Sequence, residues 1–154
     1  YISEVMIQED VLLGGEESGG IAVKGHIPER DGIFDGLLIY EFMQVTGKSL
    51  SELIQEVYEI VGPFVYDRLD LTLAEEKKQT IIKNAQNDVY NAGFGSYEVS
   101  QVQKIDGVKY LLKNGGWVML RASGTEPLLR IYVEGNSAEE TADIIDEVKK
   151  TVLG

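Results

Sequence analysis

The stretch RASGTEPLLR, residues 121–130, sets two arginines around a serine, a glycine and a threonine. A phosphate is held by forked guanidinium donors, by hydroxyls and by bare backbone amides that a glycine lets an anion approach. Arg121 and Arg130 offer the first, and Ser123, Gly124 and Thr125 offer the other two. The same residues also suit a polar hairpin loop whose arginines pair with acidic neighbours, and spacing alone leaves both readings open.

A second stretch, GGEESGG at 14–20, places Glu16, Glu17 and Ser18 between two pairs of glycines. Glycine is entropically costly, so four in seven residues suit a loop that passes close to something. One reading is a surface turn. The other is a ligand loop whose carboxylates and hydroxyl are free for a polyhydroxylated molecule. Between the two stretches, KGHIPER at 24–30 gathers Lys24, His26 and Arg30 into a small basic island.

Such islands stand out because the chain as a whole is acidic, with a net charge of -12 over 154 residues. That balance argues against nucleic acid as a partner, since its binding rests on neutralising phosphates with Lys and Arg. A small phosphorylated ligand still fits where a few cations gather against the global field. The absence of cysteine excludes a disulfide framework and thiolate metal sites, and fits a reducing, cytoplasmic compartment. No apolar run approaches the ~20 residues of a membrane helix. The chain starts at Tyr1 without an initiator Met, which suggests a piece of something longer.

The elements that must position these residues are legible. VLLGG reads as a short buried strand running into the glycine loop. GIFDGLLIYEFMQVTG, 32–47, reads as a largely buried helix ending at a glycine. SLSE at 49–52 is a capping box, and Leu50, Leu53, Ile54, Val57, Ile60 and Val61 form one stripe behind it. Gly62-Pro63 stops that helix and is the expected boundary between a unit of residues 1–62 and a domain of residues 63–154. In the second part, FVYDRLDL reads as a strand, and TLAE at 72–75 as a capping box opening a helix to about Asn87. YEVSQVQKI, the DG turn and VKYLL form a hairpin. KNGG then turns into WVMLR, ASGTEP links it to LLRIYVE, and SAEE at 137–140 caps a last helix bearing Ala138, Ala142, Ile145, Val148 and Val152. The pattern predicts an α+β domain, an antiparallel sheet with helices before and after it.

GEESGG at 15–20, KGHIPERDG at 24–32 and RASGTEPLLRIYVE at 121–134, in this order, resemble signature segments of the alpha-D-phosphohexomutase superfamily, and most closely its phosphoglucomutase branch. The resemblance runs over essentially the whole chain. It implies that residues 1–62 are the end of an α/β third domain, with its sugar-binding loop and linker helix. Residues 63–154 would be the complete fourth domain, similar in fold to the TATA-binding protein, a likeness that carries no DNA function. It also implies an isomerase of carbohydrate metabolism, an intramolecular phosphotransferase moving a phosphoryl group between the 1- and 6-positions of a hexose. A phosphoserine donates, a hexose 1,6-bisphosphate forms and turns over, and the other phosphate returns to serine.

By this resemblance Glu16 and Ser18 grip adjacent sugar hydroxyls, with Glu17 either a further contact or a solvated acid. Arg121, Ser123, Gly124, Thr125 and Arg130 hold the phosphate that is not reacting. Arg30 matches a basic position near the transferring group, and His26 is either a general base or a structural histidine at a helix approach. The implied cofactors of the full-length enzyme are Mg2+ and hexose 1,6-bisphosphate. No Asp-x-Asp-x-Asp triplet and no Ser-His dipeptide occurs in this chain, so none of its residues is expected to hold metal or to donate phosphoryl. As a separate molecule it is expected not to turn over.

The implied partners are a phosphorylated sugar and the remaining domains of the same enzyme, with no nucleic acid and no membrane. Residues 1–62 lack most of a sheet to pack on, so their apolar helix is expected to expose apolar surface or bury it in a partner copy, which predicts self-association of the chain by itself. The GEESGG form leans towards glucose over mannose or a pentose phosphate. Two other classes remain open at this level: a non-catalytic sugar-phosphate-binding module and an acidic protein-interaction domain.

Overall fold

A computed structural model describes residues 2–16, 19–124 and 126–154 of the protein. The chain divides into two compact units, Tyr1–Tyr58 and Glu59–Gly154.

In the first unit, helix α1 (Ile2–Gln8) precedes a small antiparallel hairpin of β1 (Leu13–Gly15) and β2 (Ile21–Val23). Gly14 lets α1 seat on this hairpin: a Cβ there would meet Ile2 Cγ2 at 2.6 Å and Met6 Sδ at 2.9 Å. Helix α2 (Gly32–Thr46) starts where Asp31 Oδ1 accepts from the amides of Ile33 and Phe34, both at 3.1 Å. It ends at Gly47, whose left-handed φ of 67° terminates the helix. Helix α3 (Leu50–Val61) carries the capping box read from SLSE. The Ser49 amide donates to Glu52 Oε2 at 2.7 Å, and the Glu52 amide donates back to Ser49 Oγ at 3.4 Å.

Burial departs from the sequence reading here. No residue of α2 is buried, and Ile33 is 81% exposed. The β1 strand is likewise not buried, with Leu13 exposed. Of the α3 stripe only Leu53 is buried. A two-stranded hairpin is too small to cover a helix that is apolar all round.

The second unit holds a six-stranded, wholly antiparallel sheet in the order β3-β8-β7-β6-β5-β4. Its strands are β3 (Val65–Thr72), β4 (Gly93–Phe94), β5 (Tyr97–Gln103), β6 (Val108–Leu112), β7 (Trp117–Ala122) and β8 (Leu128–Gly135). Helices α4 (Glu75–Gln86) and α5 (Ala138–Leu153) cover one face. Alternate residues Val108, Tyr110, Leu112, Val118, Leu120, Leu129, Ile131 and Val133 point into the core, against Ile81 and Ala85 of α4 and Ile144, Val148 and Val152 of α5.

Two details differ from the sequence reading. TLAE is no capping box: Thr72 pairs with Leu128 as the last residue of β3, and α4 starts after Ala74, which has no side-chain cap. The SAEE cap is present, with Ser137 Oγ accepting from the Glu140 amide at 3.2 Å. However, α5 buries Thr141 and Ile144 beside Val148 and Val152, while Ala138 and Ala142 lie exposed.

Candidate functional site

The glycine loop is the turn of the β1–β2 hairpin. Glu16 donates its amide to the Gly20 carbonyl at 2.9 Å, and Gly19 donates back to the Glu16 carbonyl at 3.0 Å. Gly19 has a φ of 85°, which suits glycine. Glu17 and Ser18 lie outside the described residues. The structure brings together two of the site residues read from the sequence, Glu16 and Arg30: Arg30 Nη1 meets Glu16 Oε2 at 2.7 Å. The Arg30 side chain runs across Gly20, where an added Cβ would collide with Arg30 Cδ. Gly20 therefore clears the path of the arginine towards the carboxylate.

His26 has a different partner. Its Nε2 lies 2.9 Å from Asp31 Oδ2, and its ring stacks on Phe34 at 3.9 Å between centroids. One carboxylate thus caps α2 with one oxygen and engages His26 with the other. The His26 hydrogen bond and the two helix amides hold the Asp31 carboxyl below its ordinary value. Lys24 pairs with Asp10 on the surface.

The phosphate-loop candidate is the turn between β7 and β8. Arg121 and Arg130 are a directly opposed pair, followed by Ala122 and Leu129. Beyond them the Ser123 amide donates to the Leu128 carbonyl at 2.9 Å, and the Glu126 amide donates to Ser123 Oγ at 3.3 Å. Thr125 lies outside the described residues. A Cβ on Gly124 would meet nothing within 4 Å among the described residues, so the backbone there is open to approach. Both arginines also have acidic neighbours, with Arg121 Nη2 at 3.1 Å from Asp106 and Arg130 Nη2 at 3.4 Å from Glu126. Asp106 comes close because Gly107 lets its turn press on β7, where a Cβ would meet the Leu120 carbonyl at 2.6 Å.

An open depression of about 480 Å³ lies beside this turn, lined by Ser123, Gly124 and Pro127 and, from α4, by Glu75, Lys78 and Gln79. Lys78 was missed by sequence reasoning, which treats a helical lysine as solvated. A signal was present: Lys78, Ile81 and Ala85 share one stripe of α4, and all three are buried. Among the described residues no group of three or more His, Asp or Glu side chains converges.

A hairpin turn whose acid meets an arginine from the segment before α2, and a separate antiparallel sheet with an arginine-shouldered turn, define a mixed α+β protein with two polar candidate loops. Both units have counterparts in one group of known proteins. Residues 1–61 match the profile of phosphoglucomutase/phosphomannomutase alpha/beta/alpha domain III, and residues 71–151 match that of the phosphoglucomutase/phosphomannomutase C-terminal domain. The chain belongs to the phosphoglucomutase/phosphomannomutase family. It is 28% identical to a phosphoglucomutase/phosphomannomutase of Thermococcus kodakarensis over 94% of its length. It is 32% identical to a phosphoglucosamine mutase of Listeria monocytogenes over 99%. A crystal structure of a Thermus thermophilus protein, provisionally assigned as a phosphomannomutase, superposes over 99% of the chain with a TM-score of 0.75 at 35% identity. The chain spans 29% of the length of each of these three relatives.

Proposed function

We propose that this chain supplies the sugar-hydroxyl and distal-phosphate contacts of a phosphohexomutase interconverting hexose 1-phosphate and hexose 6-phosphate, cytoplasmic and magnesium-dependent as a whole enzyme. In this reading residues 1–62 carry the sugar loop and residues 63–154 the phosphate domain. The phosphoserine, the metal and the bisphosphate chemistry belong to the remaining domains. The observation that carries the reading is the opposed pair Arg121 and Arg130 at the mouth of the Ser123–Gly124 turn, two arginines on facing strands in an acidic chain. Such a pair suits a dianion better than it suits single carboxylates.

In the reaction, Arg121, Ser123, Gly124, Thr125 and Arg130 hold the phosphate that stays put, so that its binding energy positions the reacting end of the sugar. Glu16 and Ser18, with Glu17 beside them, accept from and donate to the sugar hydroxyls. Arg30 leaves Glu16 for the transferring group when substrate arrives. His26, oriented by Asp31, is the one imidazole this chain offers for proton transfer. A site that must hold one sugar in two opposite orientations needs recognition of this symmetric kind, a diol grip at the middle and a fixed phosphate at the far end.

The test is kcat/KM of the complete enzyme carrying Arg121→Ala, read with glucose 1-phosphate. An unchanged value at unchanged stability reduces the turn to a hairpin and sinks the reading. A second substrate, glucosamine 1-phosphate, is favoured by the phosphoglucosamine mutase named among the relatives. Parallel assays on both sugars decide between them by the ratio of the two kcat/KM values.

A further inference from the structure

Lys78 is the most deeply buried cation described in the chain, with 5% of its side chain exposed. A buried ammonium is costly unless it is paired and hydrogen-bonded. Its Nζ donates to the Glu126 carbonyl at 3.2 Å and lies 2.9 Å from Glu75 Oε2. The carbonyl it holds is the hub of the Arg121–Arg130 turn. That same oxygen accepts from the Leu128 amide at 2.7 Å, the Glu126 amide donates to Ser123 Oγ, and the Glu126 carboxylate takes Arg130 Nη2. One residue of the turn therefore touches the hydroxyl and one of the two guanidiniums assigned to phosphate, and Lys78 fixes that residue from behind. Lys78 also lines the same depression as Ser123 and Gly124.

We propose that Lys78 is a positioning residue of the phosphate turn: its ammonium, paired with Glu75, pins the Glu126 carbonyl and so sets Ser123 and Arg130. The inference rests on reading residues 121–130 as a phosphate site. A lysine stem fills the α4 stripe next to Ile81, so Lys78→Met keeps much of the packing and removes the donor and the charge. Lys78→Arg keeps both.

The experiment titrates the 154-residue chain with inorganic phosphate, followed by the amide resonances of Ser123 and Gly124. Lys78→Met is expected to weaken phosphate binding by about three- to tenfold, the order of one hydrogen bond to a charged group softened by solvent. Lys78→Arg is expected to recover at least half of that loss on a logarithmic scale. A purely structural lysine would lower stability in Lys78→Met yet leave phosphate affinity as in the parent chain, and that outcome overturns the inference alone. If the parent chain shows no shift at Ser123 or Gly124, the phosphate reading itself falls and this inference with it. Should Lys78→Met fail to fold, the Lys78 Nζ resonance of the parent chain decides. It shifts on adding phosphate if Lys78 serves the site, and an unmoved resonance overturns the inference.

Discussion

Arg121 and Arg130 face each other directly across the β7–β8 ladder, and each turns its guanidinium to a different acid, Asp106 and Glu126. Like charges directly opposed on neighbouring strands destabilise a sheet. The two acids relieve that repulsion while no anion is bound, and they compete with any anion that arrives. Asp106→Asn is therefore expected to tighten inorganic phosphate binding by about two- to fivefold, the order of one exposed ion pair of up to ~1 kcal/mol. Weaker binding in the variant, measured by NMR or calorimetry, would mean that Asp106 orients Arg121 and does not compete for it.

Removing the arginine has the opposite sign. Arg121→Ala in the complete enzyme is expected to lower kcat/KM by about tenfold to a hundredfold, since charge-assisted hydrogen bonds are worth ~1.5–3 kcal/mol before exposure weakens them. Arg121→Lys restores only part, because an ammonium lacks the bidentate fork. The chain alone, lacking a donor serine loop, is expected to show no mutase activity with glucose 1-phosphate, magnesium and a bisphosphate primer. Turnover by a preparation shown free of other mutases would contradict that.

At the glycine loop, the close path of Arg30 over Gly20 predicts a coupling. Gly20→Ala pushes the Arg30 side chain aside and breaks its contact with Glu16. The expected signature is a shifted Arg30 guanidinium resonance with stability changed by less than about 1 kcal/mol, because the pair is exposed. Glu16→Gln in the complete enzyme is expected to damage sugar recognition, while leaving inorganic phosphate binding at the other loop intact.

Residues 63–154 are expected to unfold cooperatively by themselves. Among the described residues, every buried apolar side chain except Ala22 and Leu53 lies in that stretch. Ile144→Ala, at a fully buried site, is expected to cost about 2–5 kcal/mol in a denaturant melt of this piece. The 154-residue chain is expected to sediment as larger species than the 63–154 piece, because α2 presents Ile33, Leu37, Phe42 and Val45 to solvent. Equal monomeric sedimentation of the two would disprove this.

Acid should loosen the helix starts first. The carboxyls of Asp31, Glu52 and Glu140 are all held below their ordinary values, 3.8 for the aspartate and 4.5 for the glutamates. The leading causes are the His26 hydrogen bond, the Ser49 hydroxyl and the Asn136 amide respectively. A carboxyl with a lowered folded pKa stabilises above its unfolded value, and that contribution is lost as pH falls through the folded value. Helical circular dichroism is therefore expected to hold above about pH 4.5 and to decline below it. Asp31→Asn should flatten the part due to α2, since an amide caps without titrating. A decline of the same size in that variant would exclude Asp31 as its source.

Much of this molecule is local and was legible as such. The capping of α3 by Ser49 and Glu52, the cap of α5 at Ser137, the stop at Gly47 and the turns at Asp106-Gly107 and Gly115 follow from residues within a few positions of one another. So does the placing of the 121–130 loop at a hairpin turn, whereas the β2 strand that makes the glycine loop a hairpin turn was not read from the sequence. Those signals are short-range hydrogen bonds and backbone preferences, which a one-dimensional string preserves.

Burial and pairing were decided by tertiary structure. Thr72 became the end of β3 because Leu128 was there to pair with it, and a ladder bond overrode a local cap. The buried side of α5 runs through Thr141 and Ile144 because the helix meets the sheet along that line, a shift that periodicity cannot fix by itself. The apolar α2 stayed uncovered because the sheet described in its own unit is a two-stranded hairpin, too small to cover it. The opposition of Arg121 and Arg130, the contact of Arg30 with Glu16 and the hold of Lys78 on Glu126 join residues between 9 and 48 positions apart. Sequence determined which groups could handle a sugar phosphate, and only chain folding, by bringing distant side chains within hydrogen-bond reach, decided which of them meet.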